Sequence, residues 1–262
     1  MAAAGVLCRA PTLTAVTPPT SERRPHRYRL APLPALALAG SLALTGCDAL
    51  TGPPGPSVTP ATPAAGGTAL QAVETLTVKG RAPRTGYDRD EFGSAWADTD
   101  RNGCGTRDDV LAEQLSGVAR DADGCKVLSG VLDPDPYTGT RIAFVRGRSK
   151  VDIDHLVALS DAWQKGAQQW SAGKRRAFAN DELNLVAADS STNRRKGDGD
   201  TATWLPPNKA YRCTYVAGQV AVKVKYGLWV TAAEKAAMTE VLSGCPQQKL
   251  PAGSSPTEAP AR

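Results

Sequence analysis

Val151-Asp152-Ile153-Asp154-His155-Leu156-Val157 alternates apolar and acidic side chains, which places Asp152 and Asp154 on one face of a strand and delivers His155 at its end. Upstream, Thr140 to Val145 alternates in the same way, and Arg146-Gly147-Arg148-Ser149 supplies a turn, so these two segments read as a hairpin. Downstream, Leu183-Asn184-Leu185-Val186-Ala187 reads as a short apolar strand bearing one asparagine. Ser190-Ser191-Thr192 then offers capping hydroxyls, which puts Asn193 at or near the start of a short helix ahead of Arg194-Arg195-Lys196-Gly197. The expected order is strand, turn, strand, then helix, within an α+β chain.

The residue types in this unit suit one chemistry. Hydrolysing a phosphodiester needs a base to activate water, a cation to neutralise charge in the transition state, and a proton for the leaving oxygen. His155 suits the first task, because an unperturbed imidazole is mostly neutral near pH 7. The other histidine, His26, lies in a segment expected to be removed, so His155 stands alone as the candidate base. Asp154 and Asn193 offer a carboxylate and an amide oxygen, hard ligands that suit one Mg²⁺ or Mn²⁺. Asn184 interrupts an apolar run, where a buried amide must be hydrogen-bonded, and is expected to pin the loop that holds His155. Arg194, Arg195 and Lys196 directly follow a proposed ligand and could bind phosphate, with Lys174-Arg175-Arg176 as a second basic cluster. An Asp-His pair or a lone asparagine means little by itself. It is the ordered set that points to a nuclease.

Asp152 to Leu159 and Asn180 to Asp198 resemble the HNH, or ββα-metal, endonucleases, in the branch of the GmrSD restriction endonuclease C-terminal domain. The nine-residue step from Asn184 to Asn193 is similar to the one in the HNH domain of RNA-guided nucleases. By this resemblance Asp154 is a metal ligand, His155 the general base, Asn184 the orienting asparagine and Asn193 the second protein ligand. The implied substrate is DNA, or RNA, and the implied fold is a ββα-metal core with surrounding helices. Similarity to exported actinobacterial members extends from about Leu76 to Cys245, through Asn102-Gly103-Cys104-Gly105-Thr106-Arg107-Asp108-Asp109 and Trp204-Leu205-Pro206-Pro207-Asn208. Ala158 stands where a proline is expected, and Gly105 and Asp108 depart from a commoner Cys-Asp-Thr-Arg-Asn pattern.

The charge of +5 over 262 residues is uneven. Residues 1–46 carry five arginines against Glu22, so the chain from Cys47 onward is close to neutral. Lys79 to Thr140 holds 8 basic and 12 acidic residues, whereas Arg141 to Lys196 holds 11 and 6, so the positive surplus accompanies the candidate site. An arginine-rich segment, an apolar run from Leu30 to Leu44 and the string Leu44-Thr45-Gly46-Cys47 resemble a bacterial lipoprotein leader, with lipidation at Cys47. An ordinary cleaved signal peptide, or a twin-arginine signal at Arg23-Arg24, are the alternatives. Met1 to Thr20 makes this leader unusually long, which would move the true start downstream. The expected organisation is a signal peptide over 1–46, a Pro/Gly/Thr-rich linker over 47–75, one catalytic domain over 76–245 with its motif core at 140–200, and a disordered tail over 246–262. The expected location is extracellular or at the cell surface, held to the membrane through a lipid on Cys47.

Cys104, Cys125, Cys213 and Cys245 form an even set in an exported chain and read as two disulfides. Of the three connectivities, the sequence-local one, Cys104 with Cys125 and Cys213 with Cys245, is preferred. No C-x-x-C pair supports zinc. Tyr87, Phe92 and Trp96 read as core, and a helix capped by Thr106 or Asp108 would carry Val110, Leu111 and Leu115 on one face. Asp98, Asp100, Asp108 and Asp109 crowd together around Asn102-Gly103, which raises a calcium loop, but the glutamate that ends the EF-hand spacing is missing. Helices are expected over Ser160–Trp170, Gly173–Phe178 and, as a pair, between Ala210 and Leu242, with Lys223 and Lys225 on a solvated face. A metallopeptidase is excluded, since there is no H-E-x-x-H and no second histidine beyond the leader. A noncatalytic lipoprotein that binds nucleic acid or cell envelope is the competing class.

Overall fold

The computed structural model describes residues 67–259. The expected leader and the lipidated Cys47 lie outside the described residues. The linker was expected to reach residue 75, yet Ala69–Thr75 forms helix α1. Thr68 caps it: its hydroxyl accepts from Gln71 N–H, and the Gln71 side chain accepts from Thr68 N–H. Ala69, Ala72 and Val73 are buried, so the folded body begins earlier than the composition suggested.

Helix α2 (Thr106–Gln114) follows a long irregular segment; Gly105 is its N-cap, with no side-chain cap from Thr106 or Asp108. Then come β1 (Ser116–Arg120), β2 (Val127–Leu132), β3 (Ile142–Val145) and β4 (Val151–His155). The expected hairpin of β3 with β4 is not formed. Instead β3 pairs antiparallel with β2, from Ser129 opposite Val145 to Leu132 opposite Ile142, and β1 flanks β2 on its other side. β4 pairs antiparallel with β5 (Leu185–Asp189), Val151 opposite Asp189 and His155 opposite Leu185. The reason lies in β5. Leu185 to Ala188 are all buried, and a buried strand must satisfy its backbone groups. Pairing with β4 does this while Val151, Ile153, Leu185 and Ala187 pack under Val110 and Leu111 of α2.

Between β4 and β5 lie α3 (Leu159–Gln164) and α4 (Ala172–Ala179), separated by a break at Gly166, whose φ of 132° ends the helix. After β5 come α5 (Ser190–Lys196), α6 (Arg212–Tyr226) and α7 (Ala232–Ser243). α6 forms the spine of the core: Tyr215, Val216 and Val220 meet α1, Met238 and Leu242, while Val222 and Tyr226 meet Phe92, Trp163 and Phe178. Lys223 does not face solvent. It is fully buried, 3.2 Å from Asp161 and 3.0 Å from Glu234, and Lys165 joins the same two carboxylates and Asp200. Arg81 closes the cluster against Asp161 and Asp200. Lys225 is largely buried and pairs with Asp181.

Both expected disulfides are present, Cys104–Cys125 and Cys213–Cys245. Residues of the expected tail touch the folded body. Thr68 bridges Lys249, Ala69 N–H donates to Gln248 O, and Ala259 N–H donates to Gly173 O beside α4.

Candidate functional site

β4, β5 and α5 form two antiparallel strands followed by a helix, and Asp154, His155, Asn184 and Asn193 all lie on or beside this unit. Asp189, rather than a serine, caps α5: its Oδ1 accepts from Thr192 N–H and from the Thr192 hydroxyl, both at 2.7 Å. Asn193 therefore sits one turn inside the helix. Its Nδ2 lies 3.5 Å from Asp152 Oδ2. Strand alternation places Asp152 and Asp154 on the same side, but their surroundings differ. Asp152 is half-buried, whereas Asp154 is buried and accepts from the Tyr137 hydroxyl and from Lys196 Nζ, the latter at 2.9 and 3.1 Å.

Lys196 thus departs from its expected role. Its ammonium has no exposed side-chain surface, and it donates to His155 O at 2.7 Å as well as to Asp154. A lysine buried in a helix's last turn needs an anion, and Asp154 supplies one, so Lys196 is unavailable as a surface phosphate contact. Arg194 and Arg195 are exposed, resting on Ser190, Ser191 and Thr192 hydroxyls. In the second basic cluster, Arg175 is held by Glu91 and by Trp170 O, and Lys174 lies over the Trp170 ring.

His155 ends β4 inside the protein. Its Nε2 lies 2.8 Å from the carbonyl oxygen of Ala179, the last residue of α4. A carbonyl only accepts, so Nε2 carries the hydrogen and Nδ1 keeps the lone pair. Burial is the largest influence on this imidazole and drives its pKa down to about 4; the Ala179 hydrogen bond opposes this, while Arg89 and Lys196 add to it. Trp96 stacks nearly parallel to the ring, 12° off and 6.1 Å between centroids, and the Arg107 guanidinium lies 5.9 Å from the Trp96 ring centre. A small cavity of about 60 Å³ opens on His155, with Arg89, Trp96 and Asn180 in its wall.

Asn184 is the innermost member of the set. It lies in a 3₁₀ turn, Glu182–Asn184, just before β5 rather than within the strand. Val157 N–H donates to its Oδ1 at 2.9 Å, and its Nδ2 donates to Val157 O at 3.3 Å. Leu156 N–H donates to Asn184 O. These bonds tie the segment after His155 to the turn before β5. Tyr137, Arg89, Asn180 and the stacking role of Trp96 were not read from the sequence. Tyr137 sits in a turn-rich string and Trp96 has an aromatic spacing that reads as core, so neither carried a local signal.

Asp154 and Asn193 are not joined by a direct contact. The pair within reach is Asp152 with Asn193, and among the described residues no three histidine, cysteine or carboxylate side chains are grouped so as to hold a metal ion. The donor chemistry still fits a hard divalent ion: two carboxylates on one strand face, an amide on the facing helix, and Lys196 offsetting one negative charge.

The class of protein comes from comparison with known families, whose match takes in this strand-strand-helix unit and His155. Residues 105–241 match the family model "GmrSD restriction endonucleases, C-terminal domain", and the chain belongs to that family. It is also 40% identical over 194 residues to a protein of Arthroderma benhamiae called an uncharacterized secreted protein, covering 73% of this chain and 92% of that relative. No solved structure matches. Among the described residues no helix is long and apolar enough to cross a membrane.

Proposed function

We propose that this protein is an exported, divalent-metal-dependent endonuclease of the HNH type, with a ββα-metal core formed by β4, β5 and α5, hydrolysing phosphodiester bonds of DNA, or of RNA, without sequence preference. The observation that carries this reading is the state of His155: neutral, with Nε2 turned to Ala179 O and Nδ1 left as the basic atom, in the wall of a cavity that Arg89 also lines. Family membership supports the nuclease class, and the relative's description as secreted supports export.

In the proposed reaction His155 Nδ1 takes a proton from the attacking water. Asn184 holds the backbone at Val157 so that the imidazole keeps its position. Arg89, Arg194 and Arg195 bind phosphates on either side of the scissile bond. Asp152, Asp154 and Asn193 are the residues that would hold Mg²⁺ or Mn²⁺, which when bound supplies positive charge opposite the phosphate oxygens and assists the leaving oxygen. Asp152 enters this set on its approach to Asn193. The actinobacterial character and the lipid anchor on Cys47 remain parts of the same proposal.

The test is plasmid and RNA digestion by the chain from Cys47, with Mg²⁺ or Mn²⁺ against EDTA, beside His155→Ala. Metal-dependent cutting should fall by at least about two orders of magnitude in the variant, the usual scale for losing a general base. Equal cutting by both proteins would remove His155 from the mechanism. Inactivity of the wild type on both nucleic acids would favour the noncatalytic binding protein.

A further inference from the structure

Arg107 is the second residue of α2, just past the cysteine of the Cys104–Cys125 disulfide. Three and four residues further on, Val110 and Leu111 are fully buried in one cluster with Val151 and Ile153 of β4. Helical spacing turns Arg107 to that same side, toward the strand that ends in His155. Its guanidinium lies 5.9 Å from the centre of the Trp96 ring, and the same ring stacks on His155. One indole therefore holds both the candidate base and a cation.

That cation has no anion of its own. Arg107 is half-buried, and among the described residues its guanidinium makes neither a hydrogen bond nor an ion pair. The carboxylates around it are engaged elsewhere. Asp108 is held by Arg146 and accepts from Val127 N–H, while Arg146 Nε donates to Val127 O at 2.6 Å. Asp152 approaches Asn193 instead. Burial lowers the Arg107 pKa and Arg146 lowers it further, whereas Asp152 and Asp108 oppose them, so Arg107 is near enough to feel all three charges. A guanidinium presents five N–H donors and stays charged, and the face of Trp96 meets it only with π electrons. A half-dry cation beside a second one, with both neighbouring carboxylates taken, asks for an anion that offers two oxygens side by side.

We propose that Arg107 is a substrate-binding residue of the nuclease site, its guanidinium gripping both non-bridging oxygens of one nucleic-acid backbone phosphate while Trp96 fixes its place relative to His155. The proposal rests on the nuclease reading and adds to it a contact from α2, outside the strand-strand-helix unit. A planar fork matches a phosphodiester bidentately, which a lysine at this position would not do. Arg107 moves no proton. It fills the one gap in the charge pattern beside the candidate base, and substrate supplies the missing anion.

The experiment measures binding of short fluorescein-labelled DNA and RNA strands to the full chain in EDTA, by anisotropy over a salt series. Arg107→Met should weaken binding by about tenfold or more, the scale of a hydrogen-bonded charge, and reduce the slope of log K against log salt by about one. Arg107→Lys should keep that slope and recover only part of the affinity, because the charge stays and the fork is lost. With strands carrying one neutral methylphosphonate at a time, wild type should lose affinity at a linkage where Arg107→Met loses none. The urea midpoint of Arg107→Met should equal or exceed that of wild type, since no partner is orphaned and the repulsion from Arg146 goes; should that variant misfold, Arg107→Gln takes its place. Unchanged affinity and slope in the variant overturn the proposal, as do identical methylphosphonate patterns in the two proteins or a lower urea midpoint. Wild type that binds neither strand sinks both this proposal and the nuclease reading. Binding through Arg107 without cutting in Mg²⁺ or Mn²⁺ sinks the nuclease reading alone, and metal-dependent cutting with no effect of Arg107→Met on binding sinks this one alone.

Discussion

Lys196 illustrates how much a single buried charge decides. Its ammonium neutralises Asp154 and holds His155 O, so one side chain fixes the end of β4 from beneath. Replacing it with methionine keeps the volume but leaves Asp154 charged, buried and held only by Tyr137. Lys196→Met should lower stability by about 3–5 kcal/mol in urea unfolding, the scale for removing one partner of a buried pair. Adding Asp154→Leu to that variant should restore part of the loss; a double mutant no better than the single one would show that the charge was not the cause. Arg194→Met, one turn position away but exposed, should change stability by less than about 0.5 kcal/mol.

At the level of elements, α5 depends on its cap. It spans seven residues, too short to hold itself together by propensity, and Asp189 ties its first turn through two bonds to Thr192. Asp189→Ala should cost about 1–2 kcal/mol, seen as a lower urea midpoint with an unchanged slope. An unchanged midpoint would mean that packing on β4 and β5 suffices. The local features of this unit were legible beforehand: the alternation of β4 and the short helix carrying Asn193 depend on near neighbours. Strand pairing was not. That β3 joins β2 and β4 joins β5 depends on burying Leu185 to Ala188 across an insertion holding α3 and α4.

Across the whole molecule, three cations and three carboxylates, Arg81, Lys165 and Lys223 with Asp161, Asp200 and Glu234, join the segment before α2 to α3, α6 and α7. A lysine in a helix reads as surface because its partners are remote: Asp161 is 62 residues from Lys223, and Glu234 is 69 from Lys165. Burial alone would raise the Asp161 pKa, but Lys223 and Lys165 outweigh it and hold that pKa below the usual value. Burial would lower Lys223, and Glu234 and Asp161 reverse this. The carboxylate contribution is therefore lost only as pH falls below the ordinary carboxylate range, and the lysine contribution as pH rises above 10.5. His155 acts earlier. Its folded pKa of about 4 lies below the ordinary imidazole value of 6.5, so the unfolded chain binds the extra proton and stability drains as pH falls from about 6.5 towards 4. His155→Asn should flatten that interval, making the wild type lose about 2–3 kcal/mol more than the variant between pH 7 and 4.5. Parallel losses would place the titrating group elsewhere.

The bridge between Thr68 and Lys249 has a mechanical meaning. Gly67 lies beside Leu250 and Ala69 beside Gln248 in antiparallel order, while the chain beyond Leu250 runs on to Ala259, whose N–H donates to Gly173 O. Tension between these two points loads their hydrogen bonds one after another, as a zipper, and does not pass through α6 or the sheets. A protein pulled from both ends would first give up the contacts of Glu258 and Ala259 with Ser171 and Gly173 and then peel at this bridge at low force, before β4 and α5 feel the load.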